Sequence, residues 1–206
     1  MPYLFLDCEM GGLDIEYYSL LSVFFLFTDD EFNPVDDLSL FVKPNNGIYQ
    51  VCGEALNVNR IDLKVHDTTA LTYKEATTKL YDWLKMITNE GKFKPTPVGH
   101  GVWGDINWVN YHLLGKKSWD NFVSYRKLDT QSTVQFMKAC GKFPADVSGS
   151  LESIAKYFGI PVDENELHNA KTDTMLTFEV FKRLRADAMG EPSTDEPYKF
   201  DSNGIL

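Results

Sequence analysis

The stretch Tyr3-Leu4-Phe5-Leu6-Asp7-Cys8-Glu9-Met10-Gly11-Gly12-Leu13 sets the terms for the rest of the chain. Its aromatic and branched residues, bounded by two glycines, predict a buried strand. Strand side chains alternate between faces, so Asp7 and Glu9 share one face while Leu6 and Cys8 take the other. Two carboxylates side by side at the end of a core strand repel each other. Either both reach water, or one is held protonated, or a cation lies between them. The strand alone does not decide among these.

Leu20 to Thr28 predicts a second core strand, closed by the acidic turn Asp29-Asp30-Glu31. Leu38 to Val42 predicts a third, stopped by Lys43-Pro44-Asn45-Asn46-Gly47. Short turns between these strands imply an antiparallel meander. A short helical piece near Val51 to Val58 and a loop from His66 to Thr72 follow. Tyr73 to Thr88 is a helix, with Ala76, Leu80, Trp83, Leu84 and Ile87 at helical spacing. Pro95 and Pro97 introduce a short strand near Val98 to Val102. A helix from Asp105 then carries Trp108, Val109, His112 and Leu113 inward. Val123 to Leu128 reads as a strand, and Asp129-Thr130 caps a helix that reaches Cys140 before Gly141. Ser150 caps Leu151 to Phe158, with Gly159 and Pro161 beyond. The last helix, about Asn169 to Ala188, has the stripe Asp173, Leu176, Thr177, Val180, Phe181 and Leu184. Strands first, then strands separated by helices, predict an α/β domain over residues 1–188 whose first strand is central in a mixed sheet. Residues 189–206 read as a polar tail.

At 206 residues and 43% apolar, the chain has enough material for one such domain and its core. Cys8, Cys52 and Cys140 show no C-x-x-C spacing, which argues against a disulfide framework or a zinc knuckle and fits a reducing compartment. No apolar stretch reaches membrane-spanning length and no signal-peptide pattern is present, so a cytoplasmic location without a membrane partner is expected. The formal net charge of −10 excludes a non-specific binder of long nucleic acid. It leaves room for an enzyme that recruits cations locally and acts on short or single-stranded substrates.

Asp105 and Asp173 each head an otherwise apolar helix face. Taken singly, each reads as an N-terminal acid favoured by the helix dipole. Both, however, follow a histidine at the same interval, in His100-Gly-Val-Trp-Gly-Asp105 and His168-Asn-Ala-Lys-Thr-Asp173. A histidine in the loop before a helix can swing over a site that the helix acid anchors.

LFLDCEMGGLD, GHGVWGDINWV and HNAKTDTMLT, in that order and spacing, resemble the three exonuclease motifs of the DEDDh 3′→5′ exonucleases, the DnaQ-like group that includes the proofreading subunit of bacterial replicative polymerase, ribonuclease T and oligoribonuclease. The resemblance runs from Tyr3 to about Arg185 and takes in EALNVNRID, LDT at Leu128 to Thr130, and SLESIAKYFGI. It implies a ribonuclease H-like fold, a five-stranded mixed sheet with helices on both faces. It further implies that Asp7, Glu9, Asp105 and Asp173 are metal-binding acids and that His168 is the general base. Met10, Gly11, Gly12 and Leu13 would line the pocket for the terminal nucleotide. Glycine lets the backbone approach closely, although Gly11-Gly12 also reads as an ordinary turn.

Oxygen ligands favour Mg²⁺ or Mn²⁺ over zinc. Two such ions roughly 3.5–4 Å apart stabilise the attacking and leaving oxygens of an in-line displacement. Histidine, with an ordinary pKa near 6.5, suits proton abstraction near neutral pH. The function implied is a two-metal-ion 3′→5′ exonuclease that releases 5′-mononucleotides from single-stranded DNA, RNA or short oligonucleotides. Two alternatives stand beside it: a nucleic-acid-binding adaptor that keeps the fold, and a metal-dependent phosphodiesterase of a small substrate.

Gly101 and Gly104 stand where many members of this group have Asn and Phe, and Met10-Gly11 replaces a common Thr-Thr pair. Trp103 is then either a substitute base-stacking aromatic or a packing residue. His100 reads as a structural residue of the second motif or a substrate contact, and His66 and His112 as residues without chemistry. Lys116, Lys117, Arg126 and Lys127 form the densest basic stretch, a solvated face or a guide for a phosphate backbone. An exposed part of Leu20 to Phe27 would serve a homodimer.

Overall fold

The computed structural model describes residues 1–163 and 167–190. Most of the expected polar tail, from residue 191 onward, therefore lies outside the described residues.

The three early apolar runs form the expected meander: β1 (Tyr3–Met10), β2 (Leu20–Thr28) and β3 (Pro34–Lys43), antiparallel, with Leu6 opposite Phe25 and Phe25 opposite Leu38. α1 (Gly53–Asn59) and α2 (Leu63–Thr69) lead to the two-residue β4 (Leu71–Thr72), which lies parallel to β3. α3 (Tyr73–Ile87) opens with a capping box between Thr72 and Glu75. β5 (Thr96–Gly99) pairs parallel to β1. α4 (Val102–Val109) runs on through a π-helical turn at Asn110–Leu114 to α5 (Lys116–Phe122). β6 (Leu128–Asp129), α6 (Thr130–Ala139), α7 (Leu151–Tyr157) and α8 (Ala170–Met189) complete the described chain. The strand order is β4-β3-β2-β1-β5-β6.

The sheet has six strands where five were expected. The extra strand is the two-residue edge strand β4, which is too short to carry an alternating pattern. Two other expectations fail for local reasons. The loop expected from His66 is largely helix, because the Asp62 carboxylate accepts from the amides of Lys64 and Val65 and starts α2 in a polar sequence. The strand expected from Val123 to Leu128 pairs only at its end, since β5 offers β6 just Val98 and Gly99 as partners. α4 begins three residues before Asp105, after Gly101 turns the chain at φ 81°.

Alternation along β1 decides which helices cover which face. Leu4, Leu6 and Cys8 pack with Val23, Phe25, Leu38 and Leu40 under α3, α4 and α5. Phe5, Phe24, Leu26 and Val98 face α8, where Ala170, Met175 and Phe178 meet them. Phe5 and Phe178 contact edge to face, with ring centroids 5.1 Å apart. Burying a side chain of this size contributes about 1.5–3 kcal/mol. All nine residues of β2 are buried within the chain, so this strand presents no surface for the dimer contact expected from it. No helix among the described residues is long and apolar enough to cross a membrane.

Candidate active site

The site starts from a mismatch in strand length. β2 stays paired with β1 as far as Met10, but β5 pairs with it only as far as Phe5. Beyond Phe5, the groups of β1 that point toward β5 have no strand partner, and buried backbone groups must be satisfied some other way. The amide of Cys8 donates to Asp105 Oδ1 at 3.1 Å, and its thiol donates to the Asp105 carbonyl at 3.8 Å. Asp105 is buried in α4, on the face opposite the side chains of Asp7 and Glu9. Its carboxylate is therefore tied to the strand midway between those two acids. Gly99 makes the close approach possible: a Cβ there would fall 2.8 Å from Val102 Cβ and 3.0 Å from the Leu6 carbonyl.

α8 covers the face that carries Asp7 and Glu9. Asn169 caps it by accepting from the amides of Lys171 and Thr172. This sets Asp173 in the first turn, where one oxygen each from Asp7, Glu9 and Asp173 lie within 4.8 Å of one another. Asp173 Oδ2 accepts from the His168 amide at 3.1 Å, whereas its Oδ1 is buried with no hydrogen-bond partner. His168 is exposed at the mouth and holds a left-handed backbone, φ 63°. Three of the four expected acids thus form one cluster, with His168 tethered to it. Asp105 stands outside that trio, close enough to raise the pKa of both Asp7 and Glu9 by repulsion.

The electrostatics follow from burying like charges together. Burial, then repulsion from Asp105, Glu9 and Asp173, holds Asp7 well above the usual carboxylate range. Burial followed by Asp173 and Asp105 pushes Glu9 up to about 8. Asp105 is raised to about 7 by burial, against the opposing pull of the Cys8 amide. Burial raises Asp173 to about 6, with His168 pulling the other way. Among the described residues, no Lys or Arg forms an ion pair with any of the four acids.

The remaining expected residues fall into distinct environments. Met10, Gly11 and Gly12 follow directly on the acids. Gly11 is clamped by the bonds Gly11 N–H to Ser19 O and Cys52 N–H to Gly11 O. Added Cβ atoms would meet the Gln50 carbonyl at 2.5 Å from Gly11 and the Tyr18 ring at 2.4 Å from Gly12, so packing as well as turning demands both glycines. Leu13 is fully exposed beyond them. Trp103 is 61% exposed, with Lys127 Nζ 3.2 Å from its ring centroid, and is not a core packing residue. His100 Nδ1 lies 2.9 Å from Thr130 Oγ1, which itself donates to the Gly99 carbonyl, so His100 braces the turn from β5 into α4. His66 sits against the Val42 carbonyl, and His112 stacks on Trp108.

Sequence reasoning missed Asn59, and foresaw Asp129 only as the cap of α6, where it accepts from the Ser132 amide. Buried Asn59 donates to the Met10 carbonyl, and Asp129 accepts from the Val102 amide, holding the start of α4. Asn59 was signalled only by its place in EALNVNRID, and nothing in LDT tied Asp129 to α4.

An all-oxygen donor set and three converging carboxylates, with, among the described residues, no partner for a buried Asp173 oxygen and no Lys or Arg paired with the acids, fit one or more hard divalent cations. Oligoribonuclease of Francisella tularensis subsp. tularensis is 23% identical over 133 residues, covering 61% of this chain and 70% of its own. Exonuclease I of E. coli, in complex with a dT13 oligonucleotide, superposes with a TM-score of 0.72 at 16% identity, covering 92% of this chain and 42% of that one. Exonuclease I of Methylocaldum szegediense gives 0.69 at 19% identity, covering 92% and 41%. This chain therefore spans about two-fifths of the length of the exonuclease I chains whose fold it shares. The exonuclease family model (RNase_T) matches residues 4–181, from the start of β1 deep into α8, and the chain belongs to that exonuclease family, in its DEDDh, DnaQ-like group.

Proposed function

We propose that this chain is a two-metal-ion 3′→5′ exonuclease acting on single-stranded DNA, RNA or short oligonucleotides and releasing 5′-mononucleotides. Asp7, Glu9, Asp105 and Asp173 hold two ions, Mg²⁺ or Mn²⁺. The observation that carries the reading is the convergence of Asp7, Glu9 and Asp173 from strand and helix, with His168 bonded to the cluster through its backbone. The relatives support the substrate class, one being named an oligoribonuclease and one bound to a dT13 strand.

When bound, the ions supply the positive charge that the acids lack and that a phosphoryl displacement needs. The chain's own residues do the rest. The tied carboxylate of Asp105 and the capped helix of Asp173 fix the acids before substrate arrives, so little reorganisation is left for the reaction. The clamped segment Met10 to Gly12 brings backbone close to the terminal nucleotide, and exposed Leu13 lies against its base. The His168 imidazole takes a proton from the attacking water. The new O–P bond forms as the P–O3′ bond breaks, and the departing 3′ oxygen is protonated from solvent.

A time course on matched 3′-labelled and 5′-labelled DNA and RNA strands with Mg²⁺ tests polarity and sugar preference together. Immediate release of labelled mononucleotide from the 3′-labelled strand, with a descending ladder from the 5′-labelled one, is expected. Internal cuts, or hydrolysis of small phosphodiesters alone, would overturn the proposal.

A further inference from the structure

Outside the acid cluster, one surface of the molecule has the opposite character. A groove of about 540 Å³ runs between α4, α5 and the segment from Ser124 to Lys127. Lys116, Arg126 and Lys127 line it against a single acid, Asp120, which is already paired with Lys116. The groove is therefore cationic in a chain whose net charge is −10.

Its cations sit beside aromatic faces. Lys127 lies over the Trp103 ring and Arg126 over the Tyr125 ring, and the two rings are 61% and 72% exposed. Asn110 adds a buried carbonyl oxygen without a hydrogen-bond partner. Lys127 is held below the usual lysine range by burial and by Lys116, with Asp120 pulling the other way. Trp103 and Asp105 share the first turn of α4, so the groove begins at the end of the helix that carries Asp105. From Trp103 to Asn110 the helix rises about 10 Å, room for about three stacked nucleotides at roughly 3.4 Å each.

We infer that this groove binds the part of a single strand that lies upstream of its 3′-terminal nucleotide, bases stacking on Trp103 and Tyr125 while phosphates meet Arg126, Lys127 and Lys116. The inference rests on the exonuclease reading and adds a length preference to it. Paired aromatic rings and cations are the means by which single strands are held without sequence readout. An acidic peptide would use the cations and leave the exposed rings idle.

The test is the Tyr125→Ala/Arg126→Ala double variant, both sites being exposed, assayed on a dinucleotide and on an octanucleotide. Dinucleotide hydrolysis should stay within about twofold, while KM for the octanucleotide rises about tenfold or more at unchanged kcat, as loss of one stacked base and one phosphate contact implies. Equal losses on both lengths, or none on either, would overturn the groove. A second measurement works without turnover: anisotropy of a 5′-labelled octamer on the Asp7→Asn protein as salt is raised. Removing Arg126 should lower the slope of log affinity against log salt by about 0.7. An unchanged slope, or displacement of the octamer by polyglutamate at equal charge concentration, counts against a nucleic-acid groove. If wild type hydrolyses neither substrate, the exonuclease reading fails and the anisotropy result alone decides the groove.

Discussion

Glu9→Gln separates the stability of the metal-free protein from its chemistry. In the folded chain Glu9 titrates at about 8 because it is buried and faces Asp173 and Asp105. In the unfolded chain a glutamate titrates near 4.3. Between those values the native state holds a proton that the unfolded state has released. Stability that is complete below about pH 4 is therefore lost as pH rises toward 8. At pH 7.5 roughly three units of that difference have been traversed, about 4 kcal/mol at 1.36 kcal/mol per unit. Glutamine does not titrate. With EDTA present, the variant should match wild type at pH 4.5 and exceed it by up to about 4 kcal/mol at pH 7.5. Urea unfolding followed by far-UV circular dichroism at pH 4.5, 6 and 7.5 measures this. Mn²⁺ should then favour wild type, since a ligand at a hundred times its Kd adds about 2.7 kcal/mol and the amide is the poorer donor. A variant no more stable than wild type at pH 7.5 in EDTA would show that the Glu9 carboxylate is not held under this strain.

Three further outcomes are expected. His168→Ala should slow hydrolysis by about 10²–10⁴ while keeping the thermal shift given by Mn²⁺, and unchanged turnover would remove it as the base. Mn²⁺ binding near pH 7 should expel protons from Asp7, Glu9 and Asp105, all raised in the metal-free site. Calorimetry in buffers of different ionisation heat reads this release, and buffer-independent heats would contradict the raised pKa values. Gly99→Ala should destabilise the fold by about 1–3 kcal/mol, because the new methyl meets Val102 at 2.8 Å and the Leu6 carbonyl at 3.0 Å; a melting temperature equal to wild type would mean the β5 turn yields more easily than its packing indicates.

Legibility in the sequence followed the range of the interactions. Alternation in Tyr3 to Met10 and spacing in Asn169 to Ala188 reflect local geometry, and both elements stand where they were expected, with Asp7, Glu9 and Asp173 on facing surfaces. The bond from the Cys8 amide to Asp105 joins residues 97 positions apart. No local pattern encodes it, and only the paired His-to-Asp intervals and the motif resemblance directed attention to Asp105. The edge strand β4 and α2 escaped because two residues or one capped polar turn give periodicity nothing to act on. Val123 to Leu128 misled for the opposite reason: its apolar start is buried by packing under α5, and its middle, Tyr125 and Arg126, lies in solvent.

The early stop of the β1–β5 ladder outlasts any choice of side chain. The crevice beyond Phe5 is opened by main-chain pairing, so exchanging Asp7, Glu9 or Asp173 would remove its negative charge and leave its shape, whereas Asp105 also holds the Cys8 amide. A descendant that had exchanged those three acids would still own the crevice, and a change in what it does there would require no rebuilding of the sheet.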